Sequence, residues 1–93
     1  MVAPITQMFG KKTIKLLPQE TEGNYKFNGR FVATRAALDK FGEAVIVAAH
    51  MLLLKQVKLK AGLDYLQVFE IDGEKLWFID DVAHVTGLLP SDY

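Results

Sequence analysis

The sequence predicts an α+β domain: one main helix packed on an antiparallel sheet of about five or six short strands. Three observations carry this. Ala44 to Leu54 is an apolar run broken only by His50, long enough for a helix. Two alternating segments, 64–71 and 74–80, flank Asp72-Gly73, which is a hairpin pattern. The chain has 93 residues, of which 51% are hydrophobic and 24% charged. That composition suits one globular domain, which buries enough apolar surface to offset its ordering entropy. The whole chain, 1–93, is therefore read as a single small domain, with residues 1–10 as a loose lead-in.

The elements follow in order. Thr13 to Leu17 reads as a short strand closed by Pro18. Residues 18–23 are a polar loop. Tyr25-Lys26-Phe27 alternates as a strand would. Asn28-Gly29 then predicts a type I′ hairpin turn into Arg30-Phe31-Val32, because Asn and Gly best tolerate positive φ. Residues 34–42 admit two readings. In one, Thr34 caps a helix that runs straight on. In the other, a short turn precedes a helix that starts at Glu43. The main helix spans about Glu43 to Leu59, with acidic residues at its start and Lys55, Lys58 and Lys60 at its end. That polarity suits the helix macrodipole. Gly62 is the expected left-handed cap. Asp64 to Ile71 and Glu74 to Asp80 pair through the turn so that Glu70 faces Lys75, Phe69 faces Leu76 and Val68 faces Trp77. Large apolar residues on both sides of 64–71 predict a central strand, at least partly covered on each face. Val85 to Leu89 forms a last short strand before Pro90.

The sequence excludes several function classes. With no cysteine, disulfide frameworks, thiolate metal sites and thiol nucleophiles are absent. The first residues lack a positive charge followed by an apolar run, so no secretory leader is expected. A bilayer needs about 20 apolar residues, and the longest run here is shorter. The reading is a cytoplasmic protein with no membrane span and no cofactor. Gly10-Lys11-Lys12-Thr13 echoes the end of a phosphate loop, but Ile5 stands at the first glycine's place and Lys12 where Ser or Thr belongs.

Two clusters remain as candidate sites. Asp80, Asp81 and His84, with Thr86 beside them, place two carboxylates and an imidazole within five residues. Such a set can bind a divalent ion or carry a proton. It matches no named metal or catalytic spacing, and a turn in which an Asp side chain bonds backbone amides, with His84 merely exposed, is the simpler and favoured explanation. No catalytic residue and no metal ligand set is assigned. The second candidate is the helix itself. A surface helix normally has one apolar stripe, but residues 44–54 are apolar in nearly every direction. Val47, His50, Met51 and Leu54 are the expected interface. Either the N-terminal hairpin or a second copy of the chain covers this surface, or Ala44, Ala48 and Ala49 form a tolerable solvent face. His50 alone reads as a neutral histidine with one hydrogen-bond partner.

Leu63-Asp64-Tyr65-Leu66-Gln67-Val68-Phe69-Glu70-Ile71, together with Thr34-Arg35, resembles a small domain-of-unknown-function family of staphylococci and related Gram-positive bacteria. That family has a DYLQVFE-like strand after an apolar helix. The resemblance covers about residues 30–71 and is specific over 64–70. Residues 1–29 and 79–93 have no counterpart in it. It implies a small α+β fold and a bacterial or mobile-element setting, and no activity.

The functional expectation is a non-enzymatic interaction protein that meets a protein partner or forms a homodimer. One alternative is a small-ligand or metal-dependent enzyme using Asp80, Asp81 and His84. Another is weak nucleic-acid contact through the basic N-terminal part. Residues 1–60 carry ten Lys and Arg against four acids, while residues 61–93 carry one against seven. If the fold separates these parts, the protein has a basic face and an acidic face. If it interleaves them, the asymmetry means little.

Overall fold

The computed structural model describes residues 5–19 and 21–93. Its elements run β1 (Ile5–Phe9), β2 (Lys12–Leu16), β3 (Arg30–Ala33), α1 (Arg35–Phe41), α2 (Glu43–Lys60), β4 (Leu66–Ile71), β5 (Glu74–Asp80) and β6 (His84–Leu88). A short 3-10 turn covers Pro90–Asp92. The six strands form one sheet in the order β1-β2-β4-β5-β6-β3. The α+β class and the single main helix are as expected.

Alternation divides the sheet into two faces. Ile14, Phe69, Ile71, Leu76, Phe78 and Val85 are buried under α2. Leu66, Val68, Trp77 and Ile79 lie on the opposite face and are only half-buried. Tyr93 packs edge-on against Trp77 there, with ring centroids 5.7 Å apart. The expectation of a central strand β4 thus holds, with full cover on one face and partial cover on the other.

The β4–β5 hairpin has the register read from sequence, including Val68 opposite Trp77 and Glu70 opposite Lys75. Asp72 and Gly73 both have positive φ, 51° and 84°. Lys75 Nζ donates to Glu70 Oε2 at 2.6 Å.

Four expectations require correction. The loose lead-in does not extend to residue 10. Its first four residues lie outside the described ones, and Ile5–Phe9 is a strand paired with β2 in continuous register from Ile5–Leu16 to Phe9–Lys12. Gly10, at φ 60°, makes the tight turn that joins them.

The hairpin expected at Asn28-Gly29 does not form. Tyr25 makes only an isolated bridge to Leu63. Phe27 itself takes a left-handed φ of 53° and buries its ring completely. β3 then runs to the far edge and pairs parallel with β6, the one parallel pair among the described residues. Gly29 serves a close approach instead of a turn. A Cβ there would lie 2.8 Å from the Val82 carbonyl oxygen and 2.9 Å from that of Ala83.

The left-handed residue after α2 is Ala61 (φ 59°, ψ 28°), not Gly62. Gly62 is needed because a Cβ there would meet Asn24 Cα at 2.6 Å.

The sheet is also not wholly antiparallel. β3 and β4 point the same way, so the chain between them needs a long crossover. α1 and α2 supply it. Thr34 caps α1 by accepting the Ala37 N–H at 3.1 Å. Gly42, at φ 84°, ends α1 and starts α2, so each reading of residues 34–42 was partly right.

Candidate functional site

The 80–84 cluster is built by the end of β5 and the turn into β6. Asp80 is 5% exposed and faces the helix side of the sheet. Its Oδ2 accepts the Phe27 N–H at 2.9 Å, and its Oδ1 accepts the Val82 N–H at 2.7 Å. One buried carboxylate therefore holds two positive-φ residues, since Val82 has φ 80°. Asp81 is exposed and accepts the His84 N–H at 2.7 Å. His84 is exposed in register with Arg30. Thr86 sits opposite Ile79 and Val32, on the other face of the sheet from Asp80. The four side chains do not converge. Among the described residues no group of three or more His, Asp or Glu is placed to hold a metal ion. The arrangement is the Asx turn that the sequence allowed as its simpler explanation.

The helix candidate divides differently. Ile46, Ala49, Leu53 and Val57 are buried toward the sheet. Val47 is 40% exposed and Met51 58%, one turn apart on the outer side. Leu54 is half-buried. Ala44 and Glu43 continue the outer stripe at its start, and Lys55 and Lys58 at its end. Among the described residues the N-terminal segment leaves Val47 and Met51 of this stripe exposed.

His50 turns to the flank, where it stacks on Phe31 with centroids 4.2 Å apart and planes 5° apart. Its Nε2 lies 3.4 Å from the Phe27 carbonyl oxygen, a long contact that requires the Nε2–H tautomer. Burial lowers its pKa from the usual 6.5, partly opposed by that carbonyl. A neutral imidazole filling an aromatic stack fits this geometry.

The two oppositely charged parts of the chain interleave. Lys12 pairs with Asp72 at 3.7 Å and Lys40 with Glu74 at 3.2 Å. Lys15 stands opposite Glu70 in the sheet. The fold thus sets basic residues of the first part beside acids of the second, and no helix among the described residues is long and apolar enough to cross a membrane.

One feature was missed. A cavity of about 160 Å³ lies between the end of β2, residues 17–19 and 21–23, and the last turns of α2. Gln56 and Gln67 line it, at 8% and 2% exposure. The signal was present in the sequence. Gln56 shares the buried helical stripe of Ala49 and Leu53, and Gln67 alternates with Phe69 and Ile71. A polar residue in a buried register marks a place where a carboxamide must find a partner.

No family model, curated protein or solved structure matches the chain, and the resemblance noted for residues 64–70 finds no counterpart among them.

Proposed function

We propose that the chain is a non-enzymatic interaction module that pairs with a second copy of itself through the outer stripe of α2. The observation that supports this is the pair Val47 and Met51, large apolar side chains left open in the middle of an 18-residue helix. Isolated exposed apolar residues are ordinary, but two on adjacent turns of one helix make a stripe that a partner helix can cover. The charges at its ends favour an antiparallel copy. Such a pairing, with its two-fold axis near the level of Ala49, sets Val47 of one copy on Met51 of the other. It also brings Glu43 of one copy beside Lys55 of the other. The two macrodipoles then oppose each other favourably. Ala44 at the rim allows the backbones to approach.

A charge-swap series tests the pairing and its register. Glu43→Lys and Lys55→Glu should each weaken self-association, measured by light scattering across a concentration series. The double variant should restore it. If neither single variant changes the apparent mass, or if the double is no better than the singles, this register is wrong.

A further inference from the structure

The cavity beside the C-terminal end of α2 has the features of a binding site for a small neutral molecule. Its shape is set by backbone. Tyr25 and Leu63 exchange two hydrogen bonds, Tyr25 N–H to Leu63 O at 2.9 Å and Leu63 N–H to Tyr25 O at 3.0 Å. Gly23 lies so close to Leu63 that a Cβ would meet its carbonyl oxygen at 2.6 Å. These contacts hold Gly23 and Tyr25 against the 62–64 segment, so the cavity does not depend on side-chain position alone. Its apolar walls include Leu16 and Leu63, both buried.

Two carboxamides supply the polar part. Gln67 Nε2 donates to the Asp64 carbonyl at 3.1 Å. That bond uses one of its two N–H groups and leaves its oxygen without a protein donor among the described residues. The Gln56 carboxamide makes no hydrogen bond among the described residues, although the residue is more than nine-tenths buried. Among the described residues no side-chain nitrogen or oxygen is both sealed from solvent and unpaired. The open hydrogen-bonding positions of these amides are therefore reached from the cavity. Each carboxamide offers a donor and an acceptor side by side.

The geometry points to a ligand that is a neutral, ring-sized molecule with an amide or lactam edge. The volume matches one six-membered ring with a substituent, since a cavity of roughly 150 Å³ accepts benzene. The edge has to offer both a donor and an acceptor to match the two carboxamides. The rim sets the charge. Among the described residues its lining carries one cation, Lys60, and two acids, Glu22 and Asp64, so an anion is disfavoured. A small ligand of this size binds with a Kd in the high-micromolar to millimolar range.

Benzamide, benzoate and benzene are suitable probes, added to the full chain labelled with nitrogen-15. The side-chain amide signals of Gln56 and Gln67 should shift saturably with benzamide. Benzoate and benzene should each bind at least roughly tenfold more weakly, the first for its charge and the second for its missing hydrogen bonds. Gln67→Leu should lose roughly tenfold in benzamide affinity while its backbone spectrum stays folded. If that variant does not fold, Gln56→Met serves the same comparison from the helix side. The proposal is overturned if benzamide leaves both side-chain signals unmoved at millimolar concentration, which would mean a cavity occupied by water alone. It is equally overturned if benzene binds as well as benzamide, or if the folded Gln variants bind benzamide as the parent does.

Discussion

The two sides of α2 are made of the same kinds of residue and do opposite things. Ile46, Ala49 and Leu53 on the inner side are at most 1% exposed, packed on Phe69, Phe78 and their neighbours. Val47 and Met51 on the outer side carry comparable apolar bulk into solvent. A helix that needed only to cover this sheet would have polar residues at positions 47 and 51. The difference teaches that apolar character beyond what the sheet can cover points to a second surface.

Truncations on the two sides give the largest contrast. Leu53→Ala empties a fully buried site and should cost about 3 kcal/mol, within the usual range for such cavities. Met51→Ala should change the stability of the isolated chain by less than about 0.5 kcal/mol. Urea denaturation of both at low protein concentration checks this. A similar cost at both positions would mean that Met51 is covered within the monomer.

The 80–84 turn carries a smaller version of the same contrast. Asp80→Ala leaves the buried Phe27 N–H without its acceptor, removes the turn bond from Val82, and should cost about 2 to 3 kcal/mol. Asp81→Ala removes one exposed turn bond and should cost under about 1 kcal/mol. Equal effects would mean that Asp80 is not the structural tie between β5 and the 27–30 segment.

His50 lies on the border between the two sides, and its prediction concerns pH. Its native pKa is lowered by burial, so near pH 6.5 the unfolded chain takes up a proton that the folded chain resists. The unfolded state then binds more protons, so stability falls as pH drops from about 6.5 toward the lowered native value. The contribution is fully present above that window. In His50→Gln the slope over this window should be shallower in denaturation curves taken at several pH values. An unchanged slope would mean that another group is responsible.

The parts of the fold that were legible in sequence are those decided by local chemistry. Asp72-Gly73 specifies a two-residue turn, and that turn sets every pair of the β4–β5 hairpin. The apolar run specifies α2 almost to the residue. Asn28-Gly29 carries the same kind of signal and misleads, because there the glycine admits the backbone of Val82 and Ala83, more than fifty residues away. Gly29→Ala should therefore destabilise the fold by more than about 1 kcal/mol, with thermal unfolding as the check. A residue that only supplied turn freedom could be replaced by Asn with little loss. Here Asn should fail as Ala does, since any Cβ meets the same two carbonyl oxygens. β1 was missed because its strand character appears only once Gly10 is read as a turn to β2. Of the candidate sites, the Asp80 cluster was visible as composition, but its direction was not. Asp80 and Thr86 are close in sequence and fall on opposite faces of the sheet.

The central claim is that the outer stripe of α2 is a contact surface for a second copy. Sedimentation velocity from micromolar to near-millimolar concentration tests it most directly, comparing the parent chain with Met51→Glu. The account predicts a concentration-dependent dimer for the parent. It predicts a monomer of unchanged melting temperature for the variant. A parent that stays monomeric throughout, or a variant that dimerises as the parent does, would contradict it.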